Sequence, residues 1–374
     1  MIRRLLLAAS LALPLCSFAA LPVPPEVAAR SYALFDAQSG QTLAGANADT
    51  RIEPASLTKL MTAYLSFKAV KEGRLKEDQL LTPSVRAWKM QGSRMFVDIK
   101  VPVSVHELLR GVIVQSGNDA CVVLAEAIAG SEEAFAGMMN AEAKRLGLLN
   151  TNYANSTGMP DPQQYTTAND LVKISQAIIR DFPEFYPIYS IKQFTYNKIK
   201  QDNRNLLLYR DPDVDGLKTG HTESAGYNLV ATSKRGGRRV ISVVTGTTGM
   251  EERARESAKL LDWGLLNFET PRVFNAGQEL LKAPVYKGAA PEVTVGLMAD
   301  QYVSVPRGKV GEIRQEVTLR KPLIAPLTAG QEIGVMRLTL DGQALAEYPL
   351  SVMQAVEQGS WWRRLIDTIR LWFA

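Results

Sequence analysis

Every periodic segment between Leu57 and Ile179 has helical spacing, whereas strand signals gather before Pro54 and again beyond Tyr209. A sheet made by such a chain has to join two distant stretches, with the intervening helices laid against it. The pattern predicts a mixed α/β domain over about residues 28–270, an antiparallel sheet covered by helices together with a helical subdomain. Ser31-Tyr32-Ala33-Leu34-Phe35 reads as a first strand, and Asp36-Ala37-Gln38-Ser39-Gly40 as a turn into a second. Late in the domain, Leu217-Lys218-Thr219 reads as a short strand, and Tyr227 to Thr232 and Val240 to Thr245 as a hairpin around Arg235-Gly236-Gly237. Glu251 to Leu266 then returns to helix.

The helices between these strands have readable ends. Leu57 to Val70 carries Leu60, Met61, Tyr64, Leu65 and Phe67 on one face, with Gly73 where the helix should stop. Ser104-Val105-His106-Glu107 has the capping-box pattern and opens a helix that stops at Gln115-Ser116-Gly117-Asn118-Asp119. Further helices are predicted over Ala120–Ile128, Glu132–Leu146 and Ala168–Ile179. Gly92-Ser93-Arg94-Met95-Phe96 lies in a mixed stretch and is expected to be a surface excursion, and Asn155 to Gln164, rich in Asn, Gly and Pro, to be loop.

Ser56 and Lys59 stand three apart at the start of the first helix, so the lysine amine can reach the serine hydroxyl. A serine is a weak nucleophile until a neighbouring base removes its proton. Unpaired backbone N–H groups at the helix start favour neutral Lys59 and stabilise negative charge developing beside Ser56. Chance alone supplies about one S-x-x-K in a chain of this length, so the tetrapeptide says little by itself. Two further motifs follow in order: Ser116-Gly117-Asn118 on a turn between helices and Lys218-Thr219-Gly220 on a strand. Ser116 can relay a proton between the lysines and a leaving amine, while the Asn118 amide can hold a substrate carbonyl and Lys59. Lys218 adds positive charge that attracts a carboxylate and lowers its neighbours' pKa values. Gly220 lets an extended substrate approach the strand edge and pair as an added strand, with the His221 N–H joining that of Ser56 as an oxyanion hole.

Outside this domain the composition changes. Arg3 and Arg4 precede an apolar run from Leu5 to Leu15, and small residues at Ser17 and Ala19 suit a cleavage site, so residues 1–19 read as an export signal. Loss of that segment removes Cys16 and leaves Cys121, which rules out an internal disulfide. Short alternating strands separated by Pro and Gly over 277–352 predict a small all-β sandwich, a spacer or docking module. Over 356–374, Trp361, Trp362, Leu365, Ile366, Ile369, Trp372 and Phe373 recur at helical spacing among Arg363, Arg364, Asp367 and Arg370. Such a helix lies in a membrane interface instead of spanning it, and an anionic lipid surface is the expected partner. The net charge of +5 is spread along the chain, which argues against nucleic-acid binding.

Ser56-Leu57-Thr58-Lys59, Ser116-Gly117-Asn118 and Lys218-Thr219-Gly220-His221 resemble the three motifs of the penicillin-recognising serine acyltransferases. The longer stretches Gln115–Cys121 and Asp215–Thr222 are similar to those of the low-molecular-mass D-alanyl-D-alanine carboxypeptidases, as is the plan of signal, acyltransferase domain, β domain and amphipathic tail. The resemblance implies a β-lactamase/transpeptidase-like fold and attack by Ser56 on the penultimate D-alanine of a peptidoglycan stem pentapeptide. Terminal D-alanine leaves, water hydrolyses the acyl-enzyme, and β-lactams act as covalent inhibitors. It assigns Ser56, Lys59, Ser116, Asn118 and Lys218 to catalysis, and Thr219, Gly220, His221 and Arg253 to substrate binding. Arg253 matches the family spacing for the arginine that meets the substrate carboxylate, with Arg255 as its rival. The implied location is the periplasm, peripherally on the outer face of the inner membrane.

Other readings have specific weaknesses. A class A β-lactamase would carry S-D-N in place of Ser116-Gly117-Asn118 and a glutamate on the loop before K-T-G, and Asn155 to Thr167 holds none. A DD-endopeptidase, or a non-catalytic penicillin-binding scaffold that keeps the motifs, stays open at the level of sequence. His106-Glu107-Leu108-Leu109-Arg110 ends in an arginine where a zinc ligand would be needed, so no metal is called for, and no cofactor motif occurs.

Overall fold

The computed structural model describes residues 22–372. The export segment expected over residues 1–19 and the final Phe373 and Ala374 lie outside that range. Two compact units divide the chain: Pro24–Ala276 with Ala299–Arg307, and Gly277–Met298 with the chain from Gly308 on.

The first unit is organised around strands from both ends. They are β1 (Ser31–Asp36) and β2 (Gln41–Ala46), then β3 (Val214–Thr222), β4 (Gly226–Arg235) and β5 (Arg238–Thr247). The sheet runs β2-β1-β5-β4-β3 with every pair antiparallel, so the N-terminal hairpin joins the late strands through β1 and β5. Side chains alternate between two cores, as period-2 strands buried on both faces require. Ala33, Leu217, Val230, Ile241 and Val243 enter one core with the central helices. Leu34, Leu229, Ala231, Val240 and Val244 enter the other.

Five central helices follow β2: α1 (Lys59–Lys71), α2 (Val105–Ile113), α3 (Asn118–Ala129), α4 (Glu132–Arg145) and α5 (Ala168–Asp181). A final helix, α6 (Met250–Asn267), puts Ala254, Leu260, Leu261 and Leu265 against the second face. The capping box is present: Ser104 Oγ accepts from the Glu107 N–H at 3.2 Å, and the Glu107 carboxylate accepts from the Ser104 N–H at 3.4 Å. Helix α1 is buried almost all round, with Leu60, Met61, Ala63 and Phe67 fully covered, which is why it can hold one end of a catalytic centre rigidly.

Three sequence expectations need adjustment. Strand β3 has nine residues, because it pairs along its length with β4 from Val214↔Ser233 to Thr222↔Gly226. Gly92 to Phe96 is no surface excursion: Met95 is buried, and the N–H groups of Met95, Phe96 and Val97 all donate to the buried Asp119 carboxylate at 2.9, 2.8 and 3.1 Å. Residues 299–307, expected within the β domain, return to the first unit. There Gln301–Tyr302 pairs with Arg272–Phe274, and Val305–Pro306 with Phe268–Glu269.

Apart from one short helical turn, Val310–Glu312, the described residues of the second unit are all-β up to the terminal helix. Its six-stranded sheet contains β6 (Glu279–Tyr286), β7 (Glu292–Gly296), β8 (Arg314–Leu319), β9 (Leu323–Ile324), β10 (Glu332–Leu340) and β11 (Gln343–Val352), in the order β8-β10-β11-β7-β6-β9. Helix α7 (Trp361–Arg370) is tied to this unit by its polar face: the buried Asp367 carboxylate accepts from the Lys287 N–H at 2.7 Å. Trp361, Trp362, Leu365, Ile366, Ile369 and Trp372 are exposed. No helix among the described residues is long and apolar enough to cross a membrane.

Candidate active site

Ser56 sits in a tight helical turn, Ala55–Thr58, that runs straight into α1. Ala55 has φ +46°, a left-handed conformation costly for a residue with a Cβ, and such strain persists where surrounding packing dictates it. Part of that packing is Gly158, where any added Cβ would lie 1.8 Å from the Ala55 carbonyl oxygen. Lys59 Nζ is 2.9 Å from Ser56 Oγ and donates to the Thr157 carbonyl at 2.5 Å. Lys59 is 1% exposed, and burial lowers its pKa to about 8 by penalising the charged form.

The second serine occupies an equally constrained turn. Ser116 has φ +61° and links the end of α2 to the start of α3. Gly117 leaves no room for a side chain, since a Cβ would stand 2.9 Å from Asp119 Oδ1 and 3.1 Å from the Met95 nitrogen. Asn118 Nδ2 donates to the Gln91 carbonyl at 2.7 Å, and the Asn118 N–H donates to the Ser93 carbonyl at 2.7 Å. Among the described residues Asn118 makes no hydrogen bond to Lys59, so that part of the sequence expectation is not met. The amide instead fastens the 91–97 segment against the turn.

Strand β3 supplies the opposite wall from the free edge of the sheet. Lys218 Nζ donates to Ser116 Oγ at 3.0 Å and to the Thr219 carbonyl at 3.0 Å. Burial first, then the charges of Lys59, Arg204 and Arg253, depress the Lys218 pKa well below its ordinary value. Gly220 has a reason the sequence did not reveal: an added Cβ would lie 3.0 Å from the Pro54 carbonyl oxygen and 3.2 Å from Leu57. The glycine admits the nucleophile turn itself, not merely a substrate. His221 is exposed, and its ring lies against Tyr227, tilted by 32°, with centroids 3.9 Å apart.

Of the two rival arginines, Arg253 belongs to the site. It is 3% exposed, donates weakly to the Gly220 and Arg204 carbonyls at 3.4 and 3.3 Å, and has no carboxylate partner among the described residues. Burial, then Arg204, lowers its pKa to about 10. Arg255 points away into ion pairs with Glu252 and Glu256. Ser56, Ser116, Thr219, Gly220, His221 and Arg253 line one cleft of about 310 Å³, with Lys59 and Lys218 buried behind its walls.

The profile of the D-alanyl-D-alanine carboxypeptidase family matches residues 19–249, well over half the sequence. The chain belongs to this family. Residues 268–358 match the C-terminal domain of penicillin-binding protein 5. The D-alanyl-D-alanine carboxypeptidase DacA of Escherichia coli is 42% identical over 361 residues, covering 94% of this chain and 90% of that protein. Among solved structures, penicillin-binding protein 5 of Haemophilus influenzae superposes with a TM-score of 0.87 at 45% identity, covering 90% of this chain and 99% of the other. Penicillin-binding protein D2 of Listeria monocytogenes in its ampicillin-bound form gives 0.59 at 32% identity over 64% of this chain and 98% of that one.

In this carboxypeptidase-family chain, sequence reasoning missed three contributors to the site. Ser93 and Arg204 line the cleft and are joined by a 2.6 Å hydrogen bond from the Arg204 guanidinium to Ser93 Oγ. The Thr157 carbonyl orients Lys59. Neither Ser93 nor Arg204 sits in a periodic segment, and a loop carbonyl leaves no trace in residue identity. The run Asn155-Ser156-Thr157-Gly158 did carry one signal, a glycine with φ +86° beside an Asn whose carboxamide oxygen accepts from both the Thr157 and Gly158 N–H groups.

Proposed function

We propose that this protein is a serine DD-carboxypeptidase that removes terminal D-alanine from peptidoglycan stem pentapeptides and is acylated by β-lactams. The observation that carries the reading is the Lys59 amine 2.9 Å from Ser56 Oγ, in a cleft that also holds a buried arginine without a carboxylate partner among the described residues. Neutral Lys59 takes the Ser56 proton as Oγ bonds to the penultimate carbonyl carbon. The N–H groups of Ser56 and His221 hold the oxyanion. When the C–N bond breaks, the proton that Lys59 took from Ser56 passes by way of Ser116, which is in contact with Lys218, to the leaving nitrogen, and Lys59 is neutral again. Water then attacks the ester with Lys59 again as base, and the stem tetrapeptide leaves.

Thr219 and Arg253 take the free carboxylate of the departing residue. A charge-assisted pair at that position separates an enzyme for free C-termini from an endopeptidase. A β-lactam meets the same nucleophile, and because Asn155 to Thr167 offers no glutamate to activate water, its acyl-enzyme is slow to hydrolyse. Export by residues 1–19 and peripheral attachment through α7 at the outer face of the inner membrane complete the reading, since α7 turns its aromatic face outward.

The test is D-alanine release from a soluble stem pentapeptide by the mature protein beside a Ser56→Ala variant. Release that vanishes in the variant is expected. Equal release from both would remove Ser56 as the nucleophile, and no release from either, with stable penicillin labelling, would point to an acylated scaffold.

A further inference from the structure

A second cavity, of about 430 Å³, opens past the C-terminal end of β3 and lies wholly within the first unit. Arg51, Glu53, Asp161 and Tyr165 line it together with Arg30 and Ser224. It holds charges of both signs. The Arg51 guanidinium lies over the Tyr165 ring at 4.1 Å and forms no ion pair among the described residues. Glu53 accepts from Ser224 Oγ at 2.6 Å, and neither Glu53 nor Asp161 has a cationic partner among those residues. The floor is preformed, since the backbones of Ile52 and Thr166 exchange hydrogen bonds at 2.8 and 3.0 Å.

This cavity is connected to the catalytic cleft by the chain itself. Glu53 precedes Ser56 by three residues, and Ser224 lies just beyond His221 and Thr222. If Thr219 and Arg253 take the carboxylate of the leaving residue, and the scissile carbonyl lies between Ser56 and the His221 N–H, the acyl part must run along β3 toward Thr222. That path is antiparallel to β3 and uses its free edge. The residue before the scissile D-alanine is then one strand step, about 3.4 Å, closer to the cavity.

Resting on the carboxypeptidase reading above, we propose that this cavity receives the third-residue side chain of the stem peptide and selects a diamino dicarboxylic acid. The side-chain carboxylate pairs with Arg51, held flat by Tyr165, and the side-chain ammonium with Glu53 and Asp161. A lysine at that position offers only the ammonium and leaves Arg51 without a partner. One charge-assisted pair is worth about tenfold in affinity.

Calorimetric titration of Ser56→Ala protein with two soluble pentapeptides, identical except for diaminopimelate or lysine at position three, reads the cavity without turnover. The diaminopimelate peptide is expected to bind about tenfold more tightly. In the Ser56→Ala, Arg51→Ala double variant the ratio should collapse toward one, and Arg51→Lys should restore part of it. Equal affinities in the single variant, or a ratio that survives Arg51→Ala in protein shown to be folded by circular dichroism, overturn the proposal. D-alanine release by the unsubstituted protein is measured separately. Release with equal affinities sinks the selectivity alone, a ratio of about ten that collapses on Arg51→Ala but comes without release sinks the carboxypeptidase reading alone, and no binding of either peptide sinks both.

Discussion

At Lys59 the protein solves a conflict between two demands. A lysine must be close to Ser56 to act as its base, yet an ammonium is a poor base at neutral pH. Burial resolves it by lowering the pKa to about 8. The sign of the pH dependence follows: in the proposed mechanism acylation requires neutral Lys59, so the rate is expected to rise with pH through that value and level above it. Between pH 7 and pH 9 the neutral fraction grows about tenfold. Stopped-flow acylation by a chromogenic β-lactam should show that rise, whereas a flat profile over this range would remove Lys59 as the base. Lys59→Arg keeps a charge that cannot be shed and is expected to slow acylation by about 10²- to 10⁴-fold. The three motifs around this lysine were legible because each depends on short spacing: Ser56 to Lys59 on one turn, Ser116 to Asn118 on another, Lys218 to Gly220 on one strand. Arg204 was not, since nothing in Asp202-Asn203-Arg204-Asn205 distinguishes it from a solvated turn.

Among the elements, the segment from Gln91 to Val97 brings Ser93 to the cleft. It has no regular structure, but it is held by one buried carboxylate that accepts three of its N–H groups and by Asn118, which reaches Gln91 and Ser93. Asp119 is thus the residue that makes a loop into a wall of the cleft. Hydrogen bonds to a charged group contribute about 1.5–3 kcal/mol each, so Asp119→Ala should lower unfolding stability by about 3 kcal/mol or more. A denaturant melt checks this, and an unchanged midpoint would mean that the segment stands without its clamp. The sequence showed the helices on either side because periodicity and capping are local signals, visible in Ser104 and Glu107. It could not show the clamp, which joins residues 22 to 24 positions apart. Strand β3 was read too short for a related reason: Val214, Asp215 and Gly216 look like turn residues until β4 pairs with them. Residues 299–307 likewise carry no sign that their partners are Phe268 to Phe274.

For the whole molecule, the anchoring role proposed for α7 would set where the chemistry takes place. A helix that served only to complete the second unit would bury Trp361, Leu365 and Ile369 and leave Asp367 in water, but here the order is reversed. Asp367 is spent inside the unit on the Lys287 N–H, while Arg363, Arg364 and Arg370 stay near the surface beside the aromatic residues. The exposed face therefore combines indoles suited to a headgroup layer with a net positive border, the pattern of an interfacial anchor. Each arginine near an anionic surface contributes about 1 kcal/mol, so attachment should favour anionic over zwitterionic vesicles by up to about 10²-fold and weaken as salt is raised. Ending the chain after Ser360 is expected to cost the fold little, since the Lys287 N–H and the Ala289 carbonyl, the partners of Asp367 and Arg363, can bond water instead. The truncated protein should release D-alanine from a soluble pentapeptide as fast as the full chain and stay in the supernatant when anionic vesicles are pelleted. Sedimentation that persists after truncation would move the anchor elsewhere. A loss of soluble turnover would show that α7 supports the catalytic unit, in which case its outward aromatic face would need a protein partner in place of a lipid one.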